Sequence, residues 1–89
     1  MRVKVLYRKN LKMSFGKCAA QCAHAVIGLG VTDYHLSVVC LSVSDAKFMK
    51  ITERLHDSKE KHWVVRDAGF TEVSRGTPTC VAFYEEEEE

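Results

Sequence analysis

Residues 14–30 read SFGKCAAQCAHAVIGLG, and this stretch decides the first half of the fold. Ser14 is a residue type that caps helix N-termini, and the apolar residues after it recur at steps of one, three or four. We therefore predict an amphipathic helix over about Phe15–Ile27, which Gly28 and Gly30 end. Its expected apolar stripe consists of Phe15, Cys18, Ala19, Cys22, Ala23, Val26 and Ile27.

Segments typical of β-strands stand on both sides of this helix. Before it, residues 3–7 (VKVLY) alternate apolar and polar side chains, which predicts a strand. A loop is predicted at residues 10–13, between this strand and the helix. After the helix, residues 36–43 (LSVVCLSV) are apolar on both faces, as in a strand that is covered on both sides.

The second half of the chain continues the alternation. A second helix is predicted over about residues 46–56, capped by Ser44 or Asp45 and facing inward with Phe48, Ile51 or Thr52, and Leu55. Residues 62–66 (HWVVR) and 79–84 (TCVAFY) are predicted strands, with turns at residues 67–69 and 75–78.

The order strand, helix, strand, helix, strand, strand predicts one small α/β domain. Its first strands should be parallel because helical crossovers join them, and the short last connection should reverse one strand. We expect a four-stranded mixed β-sheet flanked by two α-helices over residues 1–84, followed by an acidic tail at residues 85–89. A chain of 89 residues is long enough for one such core.

The net charge of +1 conceals a basic body. Without the five C-terminal glutamates the chain has 13 basic and 7 acidic residues. Such a surplus suits a polyanion such as nucleic acid, although on charge alone lysines that merely solvate the surface are the favoured explanation. No apolar run is long enough to span a membrane and no signal peptide is present, which predicts a soluble, intracellular protein.

The four cysteines are expected to be free thiols. Without a secretory signal disulfides are not favoured, and the spacing of Cys18, Cys22, Cys40 and Cys80 fits no zinc motif. All four stand among apolar residues, so we predict that they are buried as small hydrophobic side chains.

Two polar groupings are candidates for a functional site. On the first helix, Lys17, Gln21, His24 and Gly28 share one stripe, and Lys17 would add its charge to a helix N-terminus that attracts anions. The same stripe is also what the solvated side of any amphipathic helix looks like. The second grouping begins with Asp67, which ends a strand before a glycine turn and could simply cap its own loop.

Together, the two groupings resemble a known family. Residues 8–25 (RKNLKMSFGKCAAQCAHA) and 65–79 (VRDAGFTEVSRGTPT) are similar, in order and internal spacing, to the two signatures of the archaeal/eukaryotic-type (type 2) peptidyl-tRNA hydrolases. The resemblance implies cleavage of the ester between a peptide and the terminal ribose of tRNA, a mixed four-stranded sheet, and a possible homodimer. It also implies a cytoplasmic enzyme of translation that needs neither a metal nor a cofactor.

The resemblance further assigns site residues by motif position. It implies catalytic roles for Lys17, Asp67, Thr71 and Thr79, where Asp67 could orient a water and Lys17 could stabilise an oxyanion. The threonines could hydrogen-bond the water or the ribose. Substrate contacts are expected from Gln21, His24, Arg66, Arg75 and Thr77.

Departures from the family pattern keep an alternative open. Phe70 stands where a basic residue is usual, Asn10 stands where Asp is common, and five glutamates follow the last strand where the family continues. The alternative is a non-catalytic RNA- or protein-binding module that keeps the hydrolase fold. It predicts that Asp67 faces away from Lys17, or pairs with Arg66 or Arg75.

Overall fold

Strands and helices alternate along the residues that the computed structural model describes, 1–69 and 73–86. In chain order the elements are strand β1 (Arg2–Arg8), a 3₁₀ turn (Lys9–Leu11), helix α1 (Phe15–Leu29), strand β2 (Val38–Val43), helix α2 (Asp45–Asp57), strand β3 (His62–Arg66) and strand β4 (Pro78–Glu85). This confirms the predicted α/β class. Most predicted limits lie within two residues of the observed ones, and those of β3 agree.

The four strands form one mixed sheet in the order β2-β1-β4-β3. β1 and β2 are parallel, with Val3 beside Val38. β4 lies between β1 and β3 and is antiparallel to both, so that Val81 faces Leu6 on one side and Val64 on the other. The predicted parallel first pair and the reversed last strand are therefore confirmed.

Helix α1 packs on one face of the sheet, mainly over β3 and β4. Ser14 caps it as predicted, because its hydroxyl accepts a hydrogen bond from the backbone N–H of Lys17 at 3.2 Å. The predicted apolar stripe is wrong in part, since Phe15 and Ile27 are 90% and 72% exposed. The helix is instead rotated so that its buried residues are Gln21, Cys22, Ala25 and Leu29.

The end of α1 also differs from the prediction. Gly28 continues the helix rather than ending it, and the indole of Trp63 occupies the space that a side chain at residue 28 would need. Gly30 ends the helix with φ of +87°, and its backbone N–H donates to the carbonyl of Ile27. A left-handed residue at this point is favoured as glycine because it has no Cβ.

Strand β2 is an edge strand, which contradicts the prediction that it is covered on both faces. Val38 and Leu41 are 46% and 45% exposed, because α1 packs mainly over β3 and β4, away from β2. The prediction that all four cysteines are buried is also wrong in part. All four are free thiols as expected, but Cys40 is exposed and Cys18 is only half-buried, while Cys22 and Cys80 are buried.

Helix α2 covers the opposite face of the sheet. The hydroxyl of Ser44 caps it by accepting from the backbone N–H of Lys47. Phe48 and Leu55 are buried as predicted, in a cluster with Leu6, Val43, Val81 and Phe83. In the described residues, no helix has the length and hydropathy needed to cross a membrane.

The two ends of the sheet carry different charges. At the end where β4 finishes, the Glu85 carboxylate accepts hydrogen bonds from Arg2 at 2.7 Å and Lys4 at 3.1 Å, which hold its pKa below the ordinary value. Glu85 is thus part of β4 rather than of the tail. At the other end, where β3 finishes and Asp67 follows, the exposed cations include Lys9 and Lys12. We call these the Glu85 end and the Asp67 end.

Candidate active site

A cleft of about 970 Å³ lies between α1 and the edge strand β3. The predicted polar stripe of α1 forms one wall, because Lys17, Gln21, His24 and Gly28 all line it. The other wall follows β3 from Trp63 to Asp67. The stripe is therefore not simply a solvated helix face, and Gln21 is only 6% exposed.

An ion pair closes the Asp67 end of the cleft. The ammonium of Lys17 contacts Oδ1 of Asp67, and the two side chains are 11% and 1% exposed. Lys17 reaches it from the first turn of α1, and Asp67 is the first residue after β3. The hydrogen bond from Lys17 is the main cause that holds the pKa of Asp67 below its ordinary value, and the amide of Gly69 adds to it.

Asp67 also organises the loop that follows it. Its Oδ2 accepts from the backbone N–H of Gly69 at 2.7 Å, and its own backbone bonds to Thr77 and Gly76 at 2.9 and 2.7 Å. Gly69 has φ of +85° and lies against the backbone of Arg75. The expected Asx-type turn is therefore present, and the same carboxylate both shapes the loop and meets Lys17.

Beneath the pair, two buried side chains continue the hydrogen-bond network. The Nε2 of Gln21 donates to Asp67 Oδ1 at 3.3 Å, and the Thr79 hydroxyl donates to Gln21 Oε1 at 2.7 Å. Thr79 is fully buried in this arrangement. Its hydroxyl thus acts on the cleft through Gln21, and not by direct contact with a molecule in the cleft.

The remaining predicted residues lie around the same end. His24 is exposed on the cleft wall, and Arg66 lines the cleft while donating to the carbonyl of Gly76 at 3.2 Å. Arg75 is exposed beside the Asp67 loop, and Thr77 contributes its backbone carbonyl to Asp67. Thr71 and Phe70 lie outside the described residues.

Sequence reasoning missed the apolar wall of the cleft. Trp63 and Ile27 line the end away from Asp67, and Trp63 is 49% exposed. The available signal was strand alternation, which places Trp63 on the same face of β3 as Val65, towards α1. Recognising it required knowing that β3 is an edge strand.

The stability of Thr79 variants tests the hydrogen bond between Thr79 and Gln21. We expect Thr79→Val to lower the free energy of unfolding by about 1–3 kcal/mol, because the buried Oε1 of Gln21 loses its donor. Thr79→Ser keeps the hydroxyl and should lose much less. Urea unfolding of the three proteins measures this, and a Val variant as stable as the unmodified protein would contradict the network.

The arrangement is suited to attack of water on a carbonyl group. A lysine ammonium has three donors, so Lys17 can contact Asp67 and still donate to an oxygen that becomes negative. Oδ1 of Asp67 already accepts from Lys17 and Gln21, whereas Oδ2 accepts from Gly69 and retains capacity for a water. Such a pair can place a water and an oxyanion donor side by side.

Comparison with known proteins adds an independent finding. The family described as "Peptidyl-tRNA hydrolase PTH2" matches the chain over residues 1–89. A protein named "Peptidyl-tRNA hydrolase" from Haloquadratum walsbyi is 32% identical, over 92% of this chain and 83% of its own length. Proteins of the same name from Methanothermobacter thermautotrophicus and Methanopyrus kandleri are 30% and 31% identical, over 100% and 96% of this chain and 89% and 84% of their own lengths.

Proposed function

The chain belongs to the peptidyl-tRNA hydrolase PTH2 family, and from this premise we propose that the cleft between α1 and β3 is where it cleaves its substrate. The protein is a hydrolase that splits the ester of peptidyl-tRNA into a peptide and free tRNA. The observation that supports this location is the Lys17–Asp67 pair, which stands at one end of the cleft beside the N-terminus of α1.

Lys17 is the group that we assign to the ester carbonyl. Its ammonium lines the cleft and is held by Asp67 and the first turn of α1. When water attacks the ester, negative charge grows on the carbonyl oxygen, and a fixed ammonium stabilises it more in the transition state than in the substrate.

Asp67 orients Lys17 through their ion pair, and its carboxylate binds the water that attacks the ester. Because its pKa is below the ordinary value, it is ionised at neutral pH and is a weak proton acceptor. Its main contributions are therefore to orient the ammonium and to hold the water at Oδ2, and the proton that the water loses on attack passes by way of Oδ2 to the leaving ribose oxygen. Gln21 and Thr79 are positioning residues that fix the carboxylate from beneath. For Thr71 we keep the catalytic role that the family resemblance implies, a hydrogen bond to the water or the ribose.

The tRNA binds at the Asp67 end of the sheet. Arg66 and Arg75 are exposed there, and Lys9 and Lys12 stand at the same end. Phosphate contacts of this kind make affinity depend on salt. His24 and Thr77 flank the same region and are proposed as further substrate contacts.

The alternative function, a binding module without turnover, is less well supported. It would gain support if Asp67 faced away from Lys17, or paired with Arg66 or Arg75. Instead Asp67 contacts Lys17, and Arg66 donates to the carbonyl of Gly76.

The experiment that tests the function measures release of a labelled amino acid from N-acetylaminoacyl-tRNA by purified protein. We expect release well above the spontaneous rate, and weaker substrate binding as salt is raised. A protein that is folded by circular dichroism but releases nothing above the spontaneous rate would contradict the enzymatic reading. Retained binding of tRNA in that case would support the binding module.

We also propose that the protein forms a homodimer through the apolar surface beside β2. This surface consists of Ala19, Cys22, Ala23, Val26, Ile27, Val38 and Cys40, which line a shallow groove between α1 and β2. Ile27 and Val38 are strongly exposed for apolar side chains. An apolar patch next to an edge strand is typical of an interface.

A charge placed on this surface should break the dimer. We expect Val38→Glu to shift the sedimenting species from dimer to monomer, with at least a tenfold weaker association, because the carboxylate would be desolvated at the interface. Met49→Glu, on an exposed apolar residue of α2, is the control and should leave the association unchanged. A protein that sediments as a monomer without any substitution would refute the proposal.

We place the activity in the cytoplasm. The substrate arises where ribosomes translate, and the family acts on that substrate. Fractionation of cells and detection of the native protein test this location.

A further inference from the structure

The cleft has a second half that the proposed chemistry does not use. At the end away from Asp67 its walls are the uncharged residues Ile27, Gly28 and Trp63. The indole of Trp63 lies against α1, so close that a Cβ on Gly28 would be 2.2 Å from two of its atoms. Trp63 is nevertheless 49% exposed and lines the cleft. Trp63 thus forms a fixed apolar wall with an open face.

The charges of the sheet give the cleft a direction. The exposed cations Arg66 and Arg75 stand at the Asp67 end. At the opposite end, Arg2 and Lys4 are paired with Glu85, and Glu86 adds a further exposed acid. Lys61 and Arg54 also stand at that end, beside the acids Glu60 and Glu86. Lys61 lies over the ring of Tyr84, 6.0 Å from its centre, and Arg54 lies over the ring of Phe83. A polyanion is therefore attracted to the Asp67 end and finds mostly compensated or negative charge at the other.

The substrate also differs in charge on the two sides of its ester bond. A polyanion lies on one side of the ester and a peptide on the other. When the ester is at Lys17 and the tRNA occupies the Asp67 end, the peptide extends along β3 towards Trp63. Asp67 lies four residue steps along the chain from Trp63, which is about 13 Å, the length of three to four residues of extended peptide.

We propose that Trp63, with Ile27 and Gly28, forms a subsite for apolar or aromatic side chains of the peptide, three to four residues from the ester. This inference rests on the proposed function and adds a specificity determinant to it. The occupant is the peptide and not a tRNA base, because the subsite lies away from the cations that hold the tRNA. Aromatic side chains pack well against an indole face and gain from its geometry.

The test compares peptides of different length and composition. The substrates are N-acetylaminoacyl-tRNA and two N-acetyltetrapeptidyl-tRNAs, with either Phe or Gly at the third and fourth residues from the ester. We expect the unmodified protein to prefer the Phe substrate by about five- to tenfold in kcat/KM. Trp63→Ala should abolish this preference and leave the short substrate unchanged.

Two further variants separate the subsite from a general loss of folding. Gly28→Ala keeps Trp63 but displaces its indole, so it should also weaken the preference. Tyr34→Ala removes an aromatic residue that is 88% exposed elsewhere and should keep it. Equal loss on long and short substrates in Trp63→Ala would mean that Trp63 contacts the tRNA end. No change on any substrate would place it outside the site. Either result overturns the proposal.

A binding measurement keeps this test separate from turnover. Trp63 is the single tryptophan of the chain, so its fluorescence reports on this subsite alone. A Phe-containing tetrapeptidyl-tRNA with an amide in place of the ester should shift the emission, whereas deacylated tRNA should not. An inactive protein that shows this shift would refute the proposed function but not the subsite, and a shift with deacylated tRNA would refute the subsite.

Discussion

Asp67→Asn is expected to lower kcat for N-acetylaminoacyl-tRNA by about 10²- to 10³-fold. The amide is neutral, and its NH₂ group must face either Lys17 or the N–H of Gly69, both of which are donors. Lys17 then loses the partner that orients it, and the water loses its acceptor. Single-turnover release of the labelled amino acid at saturating protein measures this step without a contribution from product release.

Asp45→Asn is the matched control for this variant. Asp45 also accepts from a cation at the Asp67 end, Arg8 at 2.9 Å, but does not line the cleft. We expect its kcat to stay within about twofold of the unmodified value. Near-full hydrolysis by Asp67→Asn would eliminate the assigned role of the carboxylate.

The stability of Asp67→Asn should depend on pH with a defined sign. The folded pKa of Asp67 is below the ordinary 3.8, so its ionised form stabilises the fold above that value. This contribution is lost as pH falls through the lower folded pKa. The variant lacks it at every pH, so the difference in free energy of unfolding should be largest near neutrality and shrink below about pH 4. Urea unfolding across this range measures it.

Lys17→Met is the second substitution with a large expected effect, a loss of about 10²- to 10³-fold in kcat. Methionine keeps the length of the side chain but supplies no donor to the carbonyl oxygen. Binding of tRNA should weaken little, because one cation among several at this end is removed. Separate measurement of kcat and of tRNA affinity therefore distinguishes a transition-state contact from simple attraction.

Two variants define what Lys17 contributes. Lys47→Met removes a lysine from the exposed face of α2 and should retain activity. Lys17→Arg keeps the charge, but its planar fork would pair with both oxygens of Asp67 and occupy the place of the water, so we expect little rescue. Full activity of Lys17→Arg would indicate that charge alone suffices.

Much of the fold could be predicted because its signals are local. The caps at Ser14 and Ser44 and the limits of β3 depend on a few neighbouring residues, and all were confirmed. That β2 is an edge strand with exposed apolar residues could not be predicted in this way. An apolar run is the same whether a helix covers it or a partner does, and the strand order that makes β2 an edge is set by distant pairing.

Local sequence signals likewise predicted one part of the candidate site and not the other. Periodicity placed Lys17, Gln21 and His24 on one face of α1, and this face lines the cleft. Periodicity could not show that Gln21 would be buried, because an amide is tolerated there only when Asp67 and Thr79 satisfy it. The rotation of α1 followed from that network, and it left Phe15 and Ile27 exposed against expectation.

The central place of β4 has a consequence for how the protein is made. β3 pairs in this sheet with β4, and β4 is the last strand that the structure describes. As the nascent chain leaves the ribosome, β1, α1 and β2 can associate early, but β3 has to wait for residues 78–85. Because β3 forms one wall of the cleft, the polypeptide acquires this wall only after residues 78–85 have left the ribosome.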